Sequence, residues 1–344
     1  MIEPIFETVS PLGEPLTLFK RVWQVGGAQA SPSAGTAADA RSDAAAATAT
    51  ETLSLVTGLH GDHLTGLYAA MRLAEFLDTV AKDNAEGYRL AGTVQVFPVV
   101  HLRALETGAP SWNFDSLNTD VAFPGTLEGE LTEKLCNTLL QHTVRSDYGI
   151  LLAGPRKWWR ESPHIRLTST ENKKQKLSAS MGLPLALLEN GDPINALRIT
   201  KHWDDCDLNN FAVSTGNTRP LDRAIGDLLF DGLVQYLLAA GLITHAEKRP
   251  SKNGTTLYAA AGALNIHCNE AGLFLPETVP GKTVGIGEKL GEIRDVYDGK
   301  VKEEIRATES GLVLGLRDHP LVCSGEAVAG VLTKKYSRWS RLLG

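Results

Sequence analysis

The chemistry in this chain is concentrated in TGLHGDHLTG, residues 57 to 66. Two imidazoles, His60 and His63, sit three residues apart around Asp62, with Gly58, Gly61 and Gly66 freeing the backbone. LSLVT before them reads as a short buried strand, and Leu67, Tyr68, Met71, Phe76, Leu77 and Val80 after them recur at helical spacing. The pair therefore falls in a strand-to-helix turn, where two histidines can face one point and begin a zinc or other transition-metal site. Two solvated turn histidines would carry the same spacing.

Stepping outward, 344 residues can fill one large domain or two with a full core. Hydrophobic residues at 43% and charged residues at 22% describe a soluble globular protein. A formal charge of −6 offers no basic face for nucleic acid. The acidic start lacks an apolar signal region, and the longest apolar stretch, LVQYLLAAGLI, is too short to cross a bilayer. Cys136, Cys206, Cys268 and Cys323 are scattered, as expected of reduced thiols in a cytoplasmic protein. No phosphate-binding loop, dinucleotide fingerprint or G-x-S-x-G elbow occurs.

Residues 1 to 25 read as a strand pair, and 26 to 50, nearly all small or polar, as a flexible surface insertion. GTVQVFPVV, YGILL (148 to 152), LPLALL (183 to 188) and FAV (211 to 213) are further strands. They alternate with helices at 130 to 142 and 219 to 241. That alternation predicts an α/β layer with a mainly parallel sheet, its functional loops at the strands' carboxyl ends. After about residue 258 short strands punctuated by glycine predict a small all-β module. It has no lysine at a hairpin tip to serve as a carrier.

GLHGDHLTG resembles the G-x-H-G-x-E-x-x-G signature of the succinylglutamate desuccinylase and aspartoacylase family, zinc-dependent relatives of carboxypeptidase A. FPG (123 to 125), PHIR (163 to 166) and the closing β module match further landmarks in order. The resemblance implies a zinc carboxypeptidase-like fold, a mainly parallel mixed sheet flanked by helices over residues 1 to 258, and a β module over 259 to 344. It also implies a zinc-dependent amide hydrolase that deacylates a small N-acyl amino acid or peptide. His60 and His63 match the family's His and Glu ligands, an exchange that zinc accepts.

Elsewhere the chain departs from the pattern. Ala153 stands at the third ligand's position, and Val121 at that of the arginine which grips a substrate carboxylate. For the general base two registers compete: GLPLALLENG nominates Glu189, whereas order along the chain puts Ser214 there. Glu270, in CNEAG, is a third look-alike. His101, just beyond GTVQVFPVV, is the first candidate for a substitute third ligand, then Asp62, then Glu189; a strand-end hydrogen bond is the alternative for His101. Arg166 and Arg103 are candidates for carboxylate binding, and Trp158 and Trp159 for lining a pocket or subunit contact. Two functions follow: a metal-dependent deacylase, or a member that lost the reaction and serves as a binding module, as a homo-oligomer or beside an active relative.

Overall fold

The computed structural model describes residues 1–25, 50–169, 177–189, 193–217, 220–249 and 254–333. All but the last residue of the 26 to 50 stretch lies outside them. The chain opens with an antiparallel pair, β1 (Ile2–Val9) and β2 (Pro15–Trp23). Then come β3 (Thr52–Val56), α1 (Leu64–Ala81), β4 (Thr93–Phe97), α2 (Leu102–Thr107), α3 (Leu131–Thr143) and β5 (Tyr148–Ala153). Next are β6 (Trp159–Glu161), β7 (His164–Leu167), β8 (Leu185–Leu188), α4 (Ile199–Asp205), β9 (Asn209–Ser214), α5 (Arg223–Ala239) and β10 (Thr256–Ala259).

Nine strands form one sheet in the order β1-β2-β4-β3-β5-β9-β7-β8-β10. The centre, β4-β3-β5-β9, is parallel, and every residue of β5 and β9 is buried, as strands covered on both faces must be. β7 runs antiparallel to β9, and β8 and β10 follow its direction. One face packs Leu53, Leu55, Ile150, Phe211 and Val213 against α1 and α5. The other packs Val56, Leu151, Ala153 and Ala212 against α3 and α4, where fully buried Trp203 donates its Nε1–H to Thr143 Oγ1 at 2.9 Å. Helix ends follow local chemistry: Asp222 caps α5 by accepting the Ile225 N–H at 3.0 Å, and Gly241, at φ +75°, takes the left-handed turn beyond it. No described helix is long and apolar enough to cross a membrane.

The C-terminal strands are β11 (Ala263–His267), β12 (Gly272–Pro276), β13 (Thr283–Val284), β14 (Lys289–Arg294), β15 (Val301–Arg306), β16 (Gly311–Arg317), β17 (Leu321–Val322) and β18 (Ala327–Leu332). They make two antiparallel sheets, β11-β18-β16-β13 and β15-β14-β12-β17, around a core of their own. The module is stitched to the main sheet's loops: β6 pairs with β16, Glu161 opposite Gly315 and Trp159 opposite Arg317.

Candidate functional site

The turn after β3 lies at the carboxyl edge of the parallel strands. Gly61 is required there, because a Cβ would overlap the Ala104 carbonyl. A cleft of about 860 Å³ opens over this edge. The turn, the loop after β5, the start of β7 and the 110 to 120 segment wall it. Its volume suits a small organic molecule.

His60, Asp62 and His63 converge in the cleft, their potential ligand atoms within 4.8 Å of one another. The two rings are already spoken for. Gly154 N–H donates to His63 Nδ1 at 2.9 Å. A neutral imidazole has one lone pair, so the proton sits on His63 Nε2, 3.4 Å from His60 Nδ1. His60 Nε2–H in turn donates to Asn118 Oδ1 at 2.9 Å. Burial, with a smaller push from His60, holds the His63 pKa well below the ordinary histidine value, which keeps the ring neutral. This directional chain, Gly154 to His63 to His60 to Asn118, consumes both rings' lone pairs. Asp62 is left as the free donor: its Oδ1 is buried without a hydrogen-bond partner, 3.6 Å from His63 Nε2. A zinc ion taking both histidines would require the His63 ring to give up Gly154. The three residues could hold a metal ion only by exchanging these hydrogen bonds for it.

The structure puts the substitute ligand elsewhere. His101 is fully buried as the N-cap of α2, its Nδ1 accepting the Ala104 N–H at 3.3 Å and its Nε2 bonded to Thr132 Oγ1 at 3.0 Å. It does not join the His60–Asp62–His63 group. Arg103 also faces away, ion-paired with Glu14 at 2.5 Å and Glu106 at 2.8 Å.

Ala153 and Ser214 are register partners at the ends of β5 and β9, so the third-ligand position of the resemblance stands beside one of its two candidate base positions. β9 leads on to α5. β8, which ends before Glu189, runs the opposite way, and this carries Glu189 towards the other edge of the sheet. There Glu189 accepts from Arg166 Nε and Nη2 at 2.8 and 3.1 Å, with Arg198 at 3.4 Å and Asp120 beyond it, 3.5 Å from Arg198. Burial raises the Glu189 pKa, but Arg166 and Arg198 outweigh it and hold the carboxyl below its ordinary value. It is an ion-pair partner, and a proton acceptor only weakly. Arg166, reached from the cleft, spends its fork on Glu189 in the same pairing.

Sequence reasoning missed Glu161. Its buried carboxylate accepts the Ser214 hydroxyl at 3.1 Å and pairs with Arg156 Nε at 3.0 Å. Its signal was the alternation Trp159, Glu161 in RKWWRESPH, too short to read as a strand before its pairing with β16 is known. His164, opposite Ser214, donates Nδ1–H to the Ser162 carbonyl at 2.8 Å, leaving Nε2 as the acceptor. Burial lowers its pKa. Trp158, with φ +66° and half-exposed, stands at the rim under Lys157 and beside His319.

No family model matches the sequence, and no curated protein matches it either. Solved structures do. A succinylglutamate desuccinylase/aspartoacylase from Rhodobacter sphaeroides is 16% identical at TM-score 0.74, covering 97% of this chain and 96% of its own. The succinylglutamate desuccinylase of Silicibacter sp. TM1040 is 18% identical at TM-score 0.75, over 96% and 95%. The ectoine utilization protein EutE (DoeB) of Ruegeria pomeroyi, in a product-bound structure, is 18% identical at TM-score 0.75, over 97% and 95%. From the strand order of the large sheet to the closing β module, the chain has the fold of the succinylglutamate desuccinylase/aspartoacylase proteins.

Proposed function

We propose that the chain is a small-molecule-binding protein on a hydrolase fold, one whose metal and base positions have been given up. What carries this is Ala153 beside Ser214 at the carboxyl edge: no ligand side chain stands at the third-ligand position and, in the register set by order along the chain, no base side chain at the other. The closed hydrogen-bond chain through His63 and His60 supports it by giving both histidines a role that needs no metal. Val121 in place of the substrate-gripping arginine, and Arg166 bound to Glu189, support it further. Such a protein acts as a binding module in the cytoplasm, as a homo-oligomer or beside an active relative.

The convergence of His60, Asp62 and His63 favours a second reading, a zinc-dependent deacylase of a small N-acyl amino acid or peptide. Zinc held by the three would supply a polarised acyl carbonyl and an acidified water. Of this chain's residues, Glu161 is the carboxylate nearest the vacated base position, through its bond to Ser214.

Metal analysis of protein purified without added metal, beside His60→Ala and His63→Ala, separates the two. The binding reading expects well under one zinc per chain and no hydrolysis of N-acetyl or N-succinyl amino acids. About one zinc per chain, lost in both variants, together with turnover, would overturn it.

A further inference from the structure

Strand β7 sorts its side chains by face: Ile165 and Leu167 enter the core beneath α1 and α5, while His164 and Arg166 line the cleft. Arg166 is committed to Glu189. His164 is held by the chain beside it. Its Nδ1–H donates to the Ser162 carbonyl at 2.8 Å, so the lone pair of the neutral ring lies on Nε2. Burial, the dominant influence, lowers the ring's pKa against the pull of Glu161 and keeps it neutral. Turning the ring over would forfeit the Ser162 bond, and at 2% exposure there is little room to turn. Ser214, its cross-strand neighbour, gives its hydroxyl proton to Glu161 instead. Among the described residues nothing donates to His164 Nε2, yet that nitrogen is not sealed from solvent. A fixed acceptor on a buried ring therefore faces the cleft.

Deepening the binding reading above, on which it rests, we propose that His164 Nε2 is the acceptor that reads an O–H or N–H group of the ligand. The cleft then favours molecules ending in a hydroxyl or an amide N–H over the same molecules with that hydrogen replaced by methyl. The reason is an asymmetry of cost. A donor on the ligand replaces solvent at Nε2, whereas a methyl group excludes solvent and leaves a buried lone pair unpaired. A buried histidine that serves the fold alone has both nitrogens bonded within it, as His101 has to Ala104 and Thr132. His164 has one. Lys157 lines the same cleft, its ammonium 4.6 Å from the centre of the Trp158 ring and without an anionic partner among the described residues. It can take a carboxylate at the ligand's other end.

The test titrates full-length, chelator-treated protein with 4-hydroxybutyrate and 4-methoxybutyrate, which share a carboxylate for Lys157 and differ in the donor. Binding is followed by ligand-observed NMR and calorimetry. The alcohol should bind about tenfold more tightly than the ether. His164→Phe, which keeps a ring and removes the acceptor, should abolish that preference. His164→Gln, whose Oε1 can stand where Nε2 does, should restore part of it, and the surface control Glu309→Gln should leave it unchanged. If the Phe variant does not fold, the wild-type ring decides. In a proton–nitrogen correlation spectrum, assigned with His164→Gln, Nε2 should appear as an unprotonated nitrogen that shifts with the alcohol and not with the ether. Equal binding of the two probes, a preference that survives in His164→Phe, a protonated Nε2, or no binding of the alcohol would each overturn the proposal. The metal-free reading fails on a different measurement, the zinc content of protein that has not met a chelator.

Discussion

Two polar regions share one cleft and are held together by opposite means. At the carboxyl edge, His63, His60 and Asn118 form a chain of neutral hydrogen bonds anchored on a backbone N–H. Deeper on the sheet face, Glu189, Arg166, Arg198 and Asp120 form a network of full charges. The first satisfies the two histidines that the resemblance assigns to a metal, the second the glutamate that one register assigns to the base. The difference is in what disturbs them. The neutral chain depends on shape, on a ring fitting over a glycine. The charged network depends on every member keeping its partner.

The largest effect should come from the charged region. Arg166→Met leaves Glu189 with one poorly aligned arginine, and breaking a largely buried pair from one side costs about 3–5 kcal/mol. Denaturant unfolding measures this, and adding Glu189→Gln should recover part of the loss. A loss under about 1 kcal/mol would mean that the network is a surface-like feature.

Next is Gly154→Ala. The new Cβ would overlap the His63 ring, and overpacking of this kind costs about 1–3 kcal/mol. Combined with His63→Ala the two changes should be far from additive, since removing the ring removes the clash. Additive losses would show that the ring does not lie over Gly154.

Acid should separate the regions by pH. His63 has a lowered folded pKa, so the unfolded chain binds its proton first and stability falls as pH drops below the ordinary histidine value of 6.5. His101, His142 and His164 are lowered by burial too and share that window, so His63 is read as the difference between wild type and His63→Gln. Glu189 also has a lowered folded pKa. Its contribution is complete above the ordinary value of 4.5 and is lost as pH falls through the lower folded one. A variant lacking Glu189 should therefore differ in slope from the wild type only in the more acidic window. A difference appearing already near pH 6 would contradict the ion-pair assignment.

The smallest effect belongs to His60→Ala, which removes one good hydrogen bond at a partly exposed ring and should cost about 1 kcal/mol.

Much of this was legible in the residues. Continuous apolar runs announced β3, β4, β5 and β9, and the glycines around His60 and His63 announced the turn. What stayed hidden was direction. LPLALL read as a strand, but an apolar run carries no sign of whether it runs with or against its neighbours, and this direction is what carries Glu189 away from Ser214. His101 was misleading for a related reason. A strand-end histidine that precedes a short helix can turn back to cap it, and that use is local. Glu161 depended on a pairing between residues about 150 positions apart, which no window of sequence contains.

That pairing also makes the two halves of the chain thermodynamic partners. β6 carries Glu161 to Ser214 while its backbone is part of the C-terminal module's sheet. Prying the module away would pull the carboxylate off the serine and reshape the cleft wall. By linkage, whatever free energy a ligand gains from the intact wall must reappear as resistance of β16 and β18 to opening. Amide exchange in strands far from the histidines would then report occupancy of the cleft.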